Sequence, residues 1–102
     1  MEDIHEIFTR FKQDFPEVYA RHEELGRAIH REAGPLDEKT RALLKVVISA
    51  TSRHQRALET HLHAAREAGV TEEEIAHALL LVIPTCGFPT FMEAYGTYRT
   101  LG

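Results

Sequence analysis

At 102 residues, 43% of them hydrophobic and 27% charged, the chain has the length of one domain spanning 1–102. A domain of that size buries about two-thirds of its unfolded surface. The formal net charge of −4 provides no basic field to neutralise phosphates, which argues against nucleic acid as a partner. No apolar run approaches the roughly 20 residues of a membrane span. The acidic, amphipathic start "MEDIHEIFTR" is unlike a signal peptide, and the single cysteine, Cys86, has no internal partner for a disulfide; both fit a cytoplasmic protein.

Taken in chain order, the elements read as about six helices and no strand, an all-α class. Ile4, Ile7, Phe8, Phe11 and Phe15 follow the spacing of one helical face. Pro16 suits the first turn of a second helix with the stripe Val18, His22, Leu25 and Ile29. Gly34 and Pro35 stop that helix, and Asp37 caps a third, from about Glu38 to Thr51, which holds the run "LLKVVISA". Ser52 and Gln55 are spaced as a capping box for a fourth helix, which Gly69 ends. Thr71 and Glu74 form another such box, opening a helix through "IAHALLLVI" that Pro84 and Gly87 close. Pro89 starts a last helix on Phe91, Met92, Tyr95 and Tyr98.

Two of these helices are apolar nearly all round, and such a helix must be buried on every side. A bundle of 102 residues surrounds few helices of that kind, so a partner subunit is expected to cover the second face. The competing arrangement is a tight bundle around one central helix.

The fourth helix carries three of the chain's seven histidines: His54, His61 and His63. His54 and His61 share a face but lie about 10.5 Å apart along the axis, too far for ligands of one zinc ion. His61 and His63 are about 200° apart around the helix. A metal site from this segment alone is therefore not expected. His61 continues the stripe Ala57, Leu58, Ala64, Ala65 and Ala68, so it is expected to face the interior beside small residues. His63 lies with Glu59, Arg66 and Glu67 and reads as solvated; His54 falls at the helix start. The plain reading of His61 is a satisfied core or interface residue. Cys86 reads as a small buried apolar residue, and Phe88, Phe91, Met92 and Tyr95 as core or interface first and pocket lining second. His5, His22, His30 and His77 have no nameable partner.

The segments "LDEKTRALLKVVISA", "HLHAAREAGVTEEEIAHAL" and "CGFPTFMEAYGTYRTL" together resemble the carboxymuconolactone decarboxylase-like family, which includes the AhpD-like alkylhydroperoxidases. The likeness runs from about Phe15 to the C-terminus. Its most specific part is His61, Gly69 eight residues on, Thr71 to Ile75, then Gly87 and Pro89. The resemblance implies an AhpD-like helical bundle that assembles as dimers, trimers or hexamers, with a pocket at the subunit interface; a homotrimer or homohexamer is expected here.

The family divides on chemistry. AhpD-like members carry Cys-x-x-Cys ahead of the motif His, and the corresponding positions here are His54 and Ala57. The glutamate that accompanies the thiol pair falls at Ala42. A thiol relay needs one thiolate to attack peroxide and a second thiol to resolve the sulfenic acid. Only Cys86 is present, which leaves at most a single-thiol activity resolved from outside. The decarboxylase branch lacks the thiol pair and keeps the His. Its likeness implies a small carboxylated lactone as substrate and no metal or organic cofactor. His61 is of the right type for a general acid/base, since an imidazole titrates near neutral pH; His54 is the second catalytic candidate. Arg41, Arg53 and Arg56 are the candidate cations for the substrate, and Cys86 and Phe88 are candidate lining. Two function classes follow: a cofactor-independent lyase or isomerase, and a non-catalytic binding or assembly module of the same fold.

Overall fold

The structure, a computed structural model, describes residues 3–101. Met1, Glu2 and Gly102, at the ends of the expected domain, lie outside the described residues. Among those described, every regular element is helical, as the hydrophobic periodicity requires. The chain forms two compact units, Met1–Pro35 and Leu36–Gly102.

The first unit is a pair of helices. Helix α1 (Ile4–Asp14) starts where the Asp3 carboxylate accepts from the Glu6 N–H at 2.8 Å. Helix α2 (Pro16–Arg27) has the expected proline in its first turn and runs on into a π turn, Ala28–Glu32. The rings of Phe8 and Phe11 lie against Tyr19, with centroids 5.7 and 6.4 Å away. The stripes form as expected, yet none of the unit's described residues is buried. Ile7, Phe15, Val18, Leu25 and Ile29 all keep more than a third of their surface.

The second unit holds the core. Helix α3 (Glu38–Thr51) has the expected bounds, and its Asp37 cap accepts from the Thr40 N–H at 2.8 Å. Helices α4 (Gln55–Glu67), α5 (Glu72–Leu80), α6 (Val82–Cys86) and α7 (Phe88–Thr100) follow. Val46, Leu58, Leu62, Ile75, Leu79 and Val82 are all but fully buried, each stabilising the unit by about 1.5–3 kcal/mol. Helix α7 packs on both α3 and α4 and brings Phe91 and Ala94 into the same core.

The capping box of Thr71 and Glu74 forms reciprocally: the Thr71 N–H donates to Glu74 Oε1 at 2.8 Å and the Glu74 N–H to Thr71 Oγ1 at 3.1 Å. The one expected at Ser52 and Gln55 does not. Ser52 is still helical and its N–H donates back to the Ile48 carbonyl, so it ends α3 and lacks the extended geometry of an N-cap. The helix expected through "IAHALLLVI" is divided at Leu81. Pro84 explains the position: a proline has no N–H for the carbonyl four residues back, here Leu80, and its ring clashes with it.

Three burial expectations are overturned. Cys86 is exposed, because it ends a five-residue helix of which only Val82 reaches the core. Phe88, Met92 and Tyr95 are not core but exposed on one flank of α7, whose buried side is Thr90, Phe91 and Ala94. On α3, Leu44 and Ile48 likewise point away from Val46 and Ala50 into open surface.

Candidate functional site

The candidate residues gather around the turn from α3 into α4. The turn is a Schellman closure: the His54 N–H donates to the Ser49 carbonyl at 3.1 Å and the Arg53 N–H to the Ala50 carbonyl at 3.3 Å. It places Arg53 in the left-handed region at φ 59°, which no other described non-glycine residue enters. Helix α4 ends in the same closure, from Gly69 to Arg66 and Val70 to Ala65, and there the left-handed residue is Gly69 at φ 92°. An L side chain in this conformation costs roughly 1 kcal/mol relative to glycine.

The Arg53 side chain reaches across to α7. Its Nη2 donates to Thr90 Oγ1 at 3.2 Å, and its Nε lies 3.3 Å from Glu93 Oε2. Thr90 is only 7% exposed, whereas the two charged side chains keep 57% and 47% of their surface. An ion pair so open to water contributes about 0.2–1 kcal/mol.

His61 sits in the second turn of α4, half-buried. The buried side of that helix is Leu58, Leu62 and Ala65, centred about 65° around the axis from His61 at 100° per residue. The alanine stripe is therefore not wholly interior as expected: Ala57 and Ala68 are half-buried and Ala64 is exposed. His61 lies on a flank of the core, with small side chains above and below it. His63 is exposed, as expected, and so is His54, which precedes α4 without capping it through its side chain.

The other cations are separated. Arg41 lies in the first turn of α3, the far end of that helix from Arg53, and donates to the Leu36 carbonyl. Its charge helps to hold Asp37 below the usual carboxylate range, after the hydrogen bonds from Thr40. Arg56 is exposed in the first turn of α4. Phe88 opens α7 next to Gly87 (φ 98°), with Cys86 just before it. The structure thus links Arg53 to α7, keeps Arg41 apart from it, and puts Cys86 and Phe88 at the α6–α7 turn.

The sequence reading passed over Lys45. It is half-buried within the apolar run, and burial, followed by the nearby Arg41 charge, pushes its ammonium below its ordinary pKa. Its signal was visible as the one charge inside "LLKVVISA". His30 also has an anchor: its Nδ1–H donates to the Gly26 carbonyl at 2.7 Å. Among the described residues no group of three or more His, Cys, Asp or Glu side chains is placed to hold a metal ion. None of the helices is long and apolar enough to cross a membrane. Two shallow surface depressions, one along α1 from Asp3 to Gln13 and one from His22 to Arg31, belong to the first unit and not to the unit that carries His61.

The profile of the carboxymuconolactone decarboxylase family matches residues 16–98. An uncharacterized protein of Methanocaldococcus jannaschii is similar, at 33% identity over 84 residues that make up 81% of this chain and 80% of its own length. No solved structure matches the chain.

Proposed function

This chain belongs to the carboxymuconolactone decarboxylase family, and on that premise we propose that it is a cofactor-independent lyase of the decarboxylase or isomerase type, acting on a small carboxylated substrate. In this reading His61 is the general acid/base. The bond between carbon and the carboxylate breaks, carbon dioxide leaves, and the electron pair stays on carbon, delocalised into the lactone. His61 as imidazolium delivers the proton that quenches that carbon and is recharged from solvent. A cation holds the substrate's acid group in place meanwhile.

The observation that carries the reading is the setting of His61: half-buried on a flank of α4 beside Ala57, Ala64 and Ala68. A close-packed interior would fill the space next to such small side chains; a flank leaves it for a ligand. The exposed apolar rows, Leu44 and Ile48 on α3 and Phe88, Met92 and Tyr95 on α7, support assembly into a homotrimer or homohexamer in which another copy walls the site.

Replacing His61 with Asn tests the reading directly, with a carboxylated lactone as substrate. A general acid/base loses about 10²–10⁴-fold in turnover while the assembly and melting temperature hold. A packing residue instead loses about 1–3 kcal/mol of stability through its hydrogen bond. Turnover that survives in a folded variant refutes the role.

A further inference from the structure

We infer that Arg53 is the residue that takes the substrate's carboxylate, and that Glu93 is a built-in competitor occupying that position until the substrate displaces it. This deepens the lyase reading and rests on it for the identity of the substrate class; the geometry concerns carboxylates in general.

The argument begins with the backbone. The closure of α3 needs a left-handed residue at position 53, and glycine serves that need best, as Gly69 shows at the end of α4. Arginine contributes nothing to the turn that glycine lacks. Its side chain is what distinguishes it, and that side chain already binds a carboxylate, the one on Glu93.

The mode of binding matters more than the pair itself. One arm of the guanidinium is oriented by the buried hydroxyl of Thr90, with Nη2 to Oγ1 at 3.2 Å. Glu93 meets the group only through Nε and one carboxylate oxygen, at 3.3 Å. Arg66 and Glu72 show what a settled pair looks like here: two parallel contacts of 2.9 Å each, on an arginine only 23% exposed. A guanidinium offers five N–H donors in a planar fork that matches both oxygens of a carboxylate. Glu93 leaves most of that fork unused and stays half open to water. A small free carboxylate can take both positions, and Glu93, on the surface of α7, can swing into solvent. Arg41, committed to the Leu36 carbonyl and Asp37 at the other end of α3, has no comparable opening.

The test reads binding rather than turnover. Succinate is titrated into ¹⁵N-labelled protein while the Arg53 Nε–Hε resonance is followed, with the uncharged dimethyl ester as control. We expect succinate to shift that resonance, the ester not to, and Glu93→Gln to tighten succinate at least threefold by removing the competing charge. Arg53→Gly, which suits the backbone, should stay folded and lose the binding; Arg53→Lys, which keeps the charge without the fork, should weaken it at least threefold. The inference is overturned if succinate leaves the resonance unmoved, if Glu93→Gln binds no more tightly than the parent, or if either Arg53 variant binds as the parent does. A failure here leaves the role of His61 standing, and a His61→Asn variant that still turns over leaves succinate binding at Arg53 standing.

Discussion

Arg66 grips Glu72 with both edges of its guanidinium, Nε to Oε2 and Nη2 to Oε1, each at 2.9 Å. The Tyr98 hydroxyl donates to the same Oε1 at 3.2 Å, and the Arg66 guanidinium lies 5.7 Å from the centre of the Tyr98 ring. Three helices, α4, α5 and α7, are thereby tied at one end of the core. The Arg66 hydrogen bonds hold the Glu72 carboxyl below its ordinary 4.5. A carboxyl with a depressed folded-state pKa contributes stability that is complete above the unfolded value and lost as pH falls through the folded one. Stability is therefore expected to be flat above about pH 5 and to decline below 4.5, with Asp37 and Glu74, depressed by their capping hydrogen bonds, declining alongside. Glu72→Gln should remove part of that acid dependence in urea melts at pH 3.5–6 and lower stability at pH 7 by about 1 kcal/mol or less, since Glu72 is 56% exposed. A variant whose acid profile matches the parent's disproves the role of this tie.

The apolar rows on α3 and α7 predict self-association. Light scattering at micromolar concentration should give a mass of three or six times 11.6 kDa. Ile48→Glu or Met92→Glu, each placing a charge on an exposed apolar position, should reduce it without unfolding the core. A monomer of 11.6 kDa for the parent rules the arrangement out.

Cys86, exposed at the end of α6, should react with iodoacetamide in the folded protein, provided no other copy covers it. It should nevertheless support no thiol-dependent peroxidase turnover above that of free cysteine, because the positions of the dithiol are His54 and Ala57. Sustained turnover of an alkyl hydroperoxide with dithiothreitol, abolished by Cys86→Ser, contradicts this.

Gly69 predicts a purely conformational effect. A Cβ there meets nothing within 4 Å, yet φ is 92°. Gly69→Ala should cost about 1 kcal/mol through backbone strain alone. Denaturant melts check it, and a loss above about 3 kcal/mol points to a steric contact instead.

Much of the fold was legible because its signals are local. Asp37 before an apolar run and Thr71 three residues before Glu74 fix helix starts through bonds made within one turn. Ser52 and Gln55 show the same spacing but mislead, since spacing does not reveal whether the preceding helix has finished. The break at Leu81 was encoded in Pro84, whose effect falls one turn upstream of the residue itself. Cys86, Phe88, Met92 and Tyr95 were misplaced for another reason: composition marks a position that avoids water, not which molecule covers it. Arg53 gave no sign of its left-handed backbone, because the usual sign is a glycine.

The first 35 residues bury none of their described side chains, and that has a thermodynamic consequence. Ordering a residue costs roughly 1–2 kcal/mol in backbone entropy, and a helical pair with no interior has little hydrophobic gain to offset it. Excised as a peptide, this segment should be largely random coil by circular dichroism. Its helices exist conditionally, on surface that the segment does not itself supply. If another copy supplies it, protection of the α1 and α2 amides from deuterium will rise with protein concentration, while that of Leu62 and Ile75 in the core stays constant.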